Sequence, residues 1–245
     1  MSGSPCVLQS DLAGAPGEYP GAGPANGFSP LEQSLLRLEP GDATGRATGD
    51  AEEVLFVLAG DGVLRLGDAE HPLEGESGAH LAPGDAYELA AGPDGLRVVC
   101  VRIPDPAPGE SGTRTVVRRL EDQETQDATT DRQFRIVAGP DTGLRSATHF
   151  VGYIPTVRAP DHFHTYDEVI YVLEGEGRFH AAGETSPVSP GTCIGLPSRT
   201  VHCLENTGEQ LMRVVGVFRP AGSPAAAYYP DGTPAFPGLE PAAET

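Results

Sequence analysis

The chain has 245 residues, enough for two domains of ordinary size, and its 32 Gly and 24 Pro break it into short segments. Such frequent breaks exclude long helices and favour many short strands joined by turns. A formal net charge of -19 makes nucleic acid and anionic membranes poor partners, because the surface repels phosphate. Hydrophobic residues make up 38% of the chain, which can fill two small cores. Cys6, Cys100, Cys193 and Cys203 have neither the density nor the spacing of a disulfide framework or a zinc ribbon. No basic segment leads into an apolar run at the amino end, and no apolar run approaches the roughly 20 residues that span a bilayer. The expected setting is reduced and cytoplasmic.

Taken in order, residues 1–27 are rich in Gly, Pro, Ala and Ser and predict a disordered or extended arm. A first unit is expected over 28–104. Its segments are 31–39 (strand or short helical turn), 52–58, a turn at Gly60-Asp61-Gly62, the alternating 63–66, a turn at Pro83-Gly84-Asp85, and a last strand over 96–103. Within that strand the run Val98-Val99-Cys100-Val101 reads as buried. Residues 105–131 form a polar, acidic linker in which Val116 and Val117 can supply an edge strand. A second unit is expected over 132–220, with strands at 133–137, 147–154, around His162, and at 169–173, 178–181, 192–196, 201–205 and 212–218. The tail over 221–245 returns to Ala, Gly and Pro, and its Tyr228-Tyr229 pair can dock as an aromatic strap.

The two units repeat one another. Residues 168–177 (EVIYVLEGEG) align with 53–62 (EVLFVLAGDG), and Ser189-Pro190-Gly191 aligns with Ala82-Pro83-Gly84. Both turns carry glycine, which tolerates positive φ. The copies differ where chemistry would sit. Opposite His162 and His164 the first copy has Ala47 and Gly49, it keeps Glu53 opposite Glu168, and it turns back early at Gly92-Pro93-Asp94-Gly95 with no counterpart of His202. A lone carboxylate is a weak ligand set, so Glu53 is expected to be a solvated or hydrogen-bonded strand residue and the first unit to be metal-free.

In the second copy alternation puts His162 and His164 on one face of a strand. Glu168 opens the next strand and can face the same cavity, and His202 arrives from a distant strand. Three imidazoles and a carboxylate suit one divalent transition metal, Fe, Mn, Ni, Cu or Zn, with positions left open for substrate. The expected metal ligands are therefore His162, His164, Glu168 and His202. His71, His80, His149 and His180 are expected to be core or surface residues. Cys203 should face away from the metal, and Cys193 should be a small buried hydrophobe near the cavity.

At these residues the chain resembles the cupin superfamily. That family's first motif, G-x5-H-x-H-x3-4-E-x6-G, is matched by His162, His164, Glu168 and Gly175, with Arg158-Ala159-Pro160 where the leading glycine region would be. Its second motif, G-x5-P-x-G-x2-H-x3-N, is matched by Gly191, Pro197, His202 and Asn206, with Arg199 in place of the usual glycine. The resemblance implies an all-β bicupin: two double-stranded β-helix (jelly-roll) barrels, with the metal held in the second by His162, His164, Glu168 and His202.

Cupin folds host unrelated functions, so the fold does not choose the reaction. The preferred expectation is a dioxygenase-like oxidoreductase acting on a small-molecule substrate, with Glu168 as a possible proton acceptor; three histidines and a glutamate resemble quercetinase-like sites. The alternatives are non-redox metal-dependent isomerase, hydrolase or lyase chemistry, and a non-catalytic small-molecule-binding module. A homodimer is a further expectation, since barrel sheets in this family often pair.

Overall fold

In the computed structural model the described residues are 4–10, 14–107 and 114–242. Among them eighteen strands follow one another: β1 (Cys6–Gln9), β2 (Gly17–Pro20), β3 (Glu32–Leu38), β4 (Ala43–Ala47), β5 (Glu52–Leu66), β6 (Ala69–Glu74), β7 (Ser77–Leu81), β8 (Ala86–Ile103), β9 (Val117–Arg119), β10 (Gln126–Asp127), β11 (Gln133–Ala138), β12 (Thr148–Ile154), β13 (Asp167–Glu174), β14 (Gly177–Ala181), β15 (Glu184–Val188), β16 (Thr192–Leu196), β17 (His202–Asn206) and β18 (Met212–Arg219). The fold is all-β, as the turn-rich composition requires, and no described helix is long and apolar enough to cross a membrane.

The strands form two antiparallel systems. β2-β3-β8-β5-β7-β9 make one sheet, with β4 paired to β8 and β6 to β5. β1-β16-β13-β18-β12-β11-β10 make a second, and β15-β14-β17 a smaller third that packs against it. Val117 does enter an edge strand, paired with Ala79 of β7.

Burial explains the long apolar runs. In β8, Val98 and Cys100 face the interior of the first unit, with Leu55, Leu64 and Leu89. Val99, Val101 and Ile103 face the opposite way. In β13 and β18, Ile170, Val172 and Val214 face the interior of the second unit, while Val169, Tyr171, Val215 and Val217 face outward. The two outward sets meet in one apolar cluster shared by both units, together with Phe28, Leu31, Leu35 and Phe56. Strands covered on both faces lose polar alternation, which is why these segments read as continuous valine-rich runs. Cys193 belongs to this shared layer and does not line the cavity, so its expected place near the cavity is corrected; β16 turns that side chain toward the unit contact.

The structure adds to one expectation and overturns two turns, each for local reasons. The arm over 1–27, expected to be disordered or extended, contains two extended strands: β1 pairs with β16, with Leu8 opposite Cys193, and β2 pairs with β3. Its composition hides this because edge strands that borrow their partners need little periodicity of their own. The expected turns at Gly60-Asp61-Gly62 and at 92–95 are not hairpins. β5 and β8 run through them and pair on both sides, with register shifts between Val57 and Ala59 and between Gly60 and Gly62, the second leaving residues 92–95 without partners on β5. These bulges bend the paired strands around the corner of the unit. Gly60 is needed there: its φ is +85°, and a Cβ would lie 2.0 Å from the Gly95 carbonyl oxygen. β15 is a further strand that its exposed, polar sequence did not announce.

Replacing Gly60 by Ala therefore combines positive φ with a backbone clash. Gly67 also has positive φ (+58°), but nothing lies within 4 Å of its would-be Cβ. Gly67→Ala is expected to cost about 1–2 kcal/mol in urea unfolding, the price of a left-handed residue, and Gly60→Ala clearly more. Equal losses would show that the bulge does not depend on close approach.

Candidate metal centre

His162 and His202 face each other across two backbone hydrogen bonds. The His162 amide donates to the His202 carbonyl at 3.0 Å, and the His202 amide donates back at 2.8 Å. On its other side the His162 segment pairs with the tail, where the Phe163 and Tyr228 amides and carbonyls exchange bonds of 2.8 and 2.9 Å. The segment is thus held as isolated bridges between β17 and the tail, not as a regular strand. Alternation still holds. His162 and His164 project into the cavity, while Phe163 stacks on Tyr228 at 5.6 Å. Tyr228 is the strap expected of the tail; Tyr229 is exposed.

All three histidines are oriented in the same manner. Nδ1 of His162 lies 2.9 Å from the Pro160 carbonyl, Nδ1 of His164 2.8 Å from the Ala226 carbonyl, and Nδ1 of His202 2.9 Å from the Thr200 carbonyl. A carbonyl oxygen can only accept, so each Nδ1 carries the proton and donates it. Each Nε2 is left with a free lone pair, the form that binds metal. Burial keeps the rings neutral, lowering His162 to about 4, His164 to about 3, and His202 well below the usual histidine value. Among the described residues these three form the one group of potential ligands whose atoms lie within 4.8 Å of one another. Any triangle of that span has a point no more than about 2.8 Å from every corner, so metal–nitrogen bonds of about 2.0–2.1 Å need only a small closure. The donor set fits a divalent transition ion.

Glu168 lines the same cavity, on the inward face of β13 with Ile170. It stands outside the compact histidine group, beside Gly216, where an added Cβ would come 3.1 Å from Glu168 Oε1. Burial pushes its carboxyl up to about 8. Tyr166 stacks between His164 (4.6 Å) and Phe218 (3.8 Å), and burial followed by the nearby Glu168 charge keeps its phenol protonated. The cavity holds about 90 Å³. Its walls are mostly apolar, among them Phe134, Phe150, Ile154, Leu204 and Val214.

One residue here carries weight that the sequence did not suggest, and a second is the motif departure already noted. Arg132, just after the acidic linker, lines the cavity and donates from Nη2 to the Leu204 carbonyl at 2.6 Å. Arg199, in the position of the family's glycine, adopts φ +60°, and its amide donates to the His164 carbonyl at 2.7 Å. The left-handed conformation is kept although the side chain is not glycine. None of His71, His80, His149 and His180 lines the cavity. His149 and His80 are buried, and His180 bonds Glu205 and Thr185. Cys203 faces away and donates to the Ala159 carbonyl at 3.2 Å.

Residues 149–218 match the family model described as Cupin domain. That segment is a cupin domain. No curated protein matches its sequence. Among solved structures, it superposes on the protein Ylba from E. coli with a TM-score of 0.73 and 13% identity, covering 89% of this chain and 92% of that one. A mutant of Bacillus subtilis oxalate decarboxylase OxdC gives 0.72 and 13%, covering 94% and 80%. AerE from Microcystis aeruginosa gives 0.69 and 15%, covering 89% and 98%. At these identities the likeness is one of fold.

In the first unit the glutamate that aligns with Glu168 is held in an ion pair. Glu53 accepts from Arg46 Nη2 at 2.8 Å and from the Tyr87 hydroxyl at 2.8 Å. It is the hydrogen-bonded strand residue expected of it, and a guanidinium supplies the neighbouring positive charge. Glu53→Ala is expected to lower stability by about 2 kcal/mol, the loss of hydrogen bonds to charged groups, and to leave bound metal per chain unchanged. A halved metal content would place a second site in the first unit.

Glu168 gives a pH signature. Its folded value lies above the unfolded one, so the protonated form is favoured by folding. Its contribution is fully present below about pH 4.5, the ordinary carboxyl value, and is lost as pH rises through about 8. Metal-depleted Glu168→Gln should therefore gain stability over wild type progressively across that window, and a pH-independent difference in unfolding midpoint would show that the carboxyl is not desolvated.

Proposed function

We propose that this cupin is a metal-dependent enzyme that acts on a small organic molecule by proton transfer, in the isomerase, hydrolase or lyase class. The observation that carries the reading is the pairing of two unlike groups in one small cavity. Three neutral imidazoles point Nε2 inward, and a buried carboxyl sits beside them without joining their group. His162, His164 and His202 would hold the ion, which when bound supplies a Lewis acid for a carbonyl or carboxylate oxygen. Glu168 would take and return the substrate proton, since a carboxyl raised toward neutral pH is matched to that task. The Ala226, Pro160 and Thr200 carbonyls keep the imidazoles in one tautomer. Apolar walls restrict water around the reacting atoms. The Bacillus subtilis oxalate decarboxylase of similar fold has Mn(II) centres, which makes Mn(II) the first ion for reconstitution.

Dioxygenase-like oxidation is the second reading. It is favoured by the same apolar walls, Phe134, Phe150, Ile154, Ile170, Leu204 and Val214, which suit an apolar gas as cosubstrate.

The test is elemental analysis of protein purified without an affinity-metal step, followed by turnover assays in air and under argon. About one transition ion per chain is expected, falling to near zero in His162→Ala and His202→Ala. Glu168→Gln should retain most of the ion and lose turnover by about 10²-fold or more, the scale of general acid–base catalysis. Loss of the ion in that variant would make Glu168 the fourth ligand. Oxygen uptake in step with turnover would decide for the dioxygenase.

A further inference from the structure

The charges that line the cavity are unbalanced. The three histidines are neutral and tied to backbone carbonyls. Arg132 is the one side chain of permanent charge among the lining residues. It lines the same cavity as the three imidazoles. Among the described residues no carboxylate forms an ion pair with it. Its bonds are those to the Leu204 carbonyl and to the neutral Cys203 thiol. Its Nε is shut off from solvent and has no hydrogen-bond partner. A guanidinium does not shed its proton in a protein, so it stays charged there. A half-buried cation with no counter-ion is costly, and an anion in the cavity that its guanidinium lines lowers that cost.

We propose that Arg132 is the docking point for a substrate carboxylate, and that the substrate is a small organic acid held with its carboxylate on Arg132 and its reactive end toward His162, His164 and His202. The planar fork of arginine matches a carboxylate and gives charge-assisted bonds. A single fork in a small, mainly apolar cavity suits a planar monoanion better than tetrahedral phosphate, whose greater charge needs several donors. The bond from Nη2 to the Leu204 carbonyl fixes the guanidinium on the framework of β17. Arg132 thereby acts as a specificity residue, telling acids from neutral analogues. The proposal names the substrate class of the enzyme proposed above, and its geometry rests on that reading only for what sits at the opposite end of the acid.

The test uses pyruvate as the probe acid, pyruvamide as its neutral counterpart and inorganic phosphate as the competing anion. Binding is measured by calorimetry on the full chain, both metal-depleted and Mn(II)-loaded. Wild type should prefer pyruvate to pyruvamide by at least tenfold in both forms. Arg132→Gln should abolish that preference while keeping the wild-type metal content, and Arg132→Lys should retain part of it. Equal binding of acid and amide by wild type, undiminished acid binding by Arg132→Gln, or phosphate binding as tightly as pyruvate would each overturn the assignment. If Arg132→Gln does not fold, the acid–amide comparison in wild type and in Arg132→Lys decides. Wild type that takes up no metal would sink the proposed function, whereas the comparison in metal-depleted protein would still test Arg132.

Discussion

The apolar layer between the two units constrains everything else in this protein. Val99, Val101 and Ile103 of the first unit meet Val169, Val215 and Val217 of the second, so the central strands are covered on both faces. A strand held in this way has little freedom to slip, because a shift of one residue would exchange its two apolar faces. The inner faces of the same strands carry Glu168, Ile170 and Val214, which line the cavity. The wall of the site is therefore the back of the unit contact, and its rigidity comes from there.

On that wall the histidines are positioned by main chain. Pairing between His162 and His202 sets the separation of the two motifs, and three carbonyls set the tautomers. One of those carbonyls belongs to Ala226, so the tail completes the site and does not merely cover it. Main-chain orientation of this kind tolerates sequence change well. The first unit keeps the strands and the glutamate but lets Arg46 and Tyr87 satisfy Glu53. The same scaffold position thus serves an internal ion pair in one unit and an open, proton-bearing carboxyl in the other. The difference follows from the neighbouring residues: an arginine in one case, and in the other Gly216 and aromatic rings.

Much of this was legible in the residues. The spacing of His162, His164 and His202 announced a cluster, because side-chain alternation and motif order fix which groups share a face. The repeat of 168–177 on 53–62 announced two copies of one sheet system. The turns assigned to Gly60 and to 92–95 misled, because glycine serves a bulge as readily as a turn. Only the register of β5 on β8 distinguishes the two. Arg132 gave no signal, for it follows an acidic linker and belongs to no motif.

What the sequence by itself determined is the all-β fold, the repeat and the convergence of three imidazoles, since each depends on local period and spacing. What the tertiary structure decided is the state of the site: which nitrogen of each histidine faces inward, that Glu168 stands apart with a raised pKa, that the tail supplies a carbonyl, and that Arg132 reaches the cavity. Those properties depend on burial and on partners from distant segments, and neither local period nor spacing encodes them.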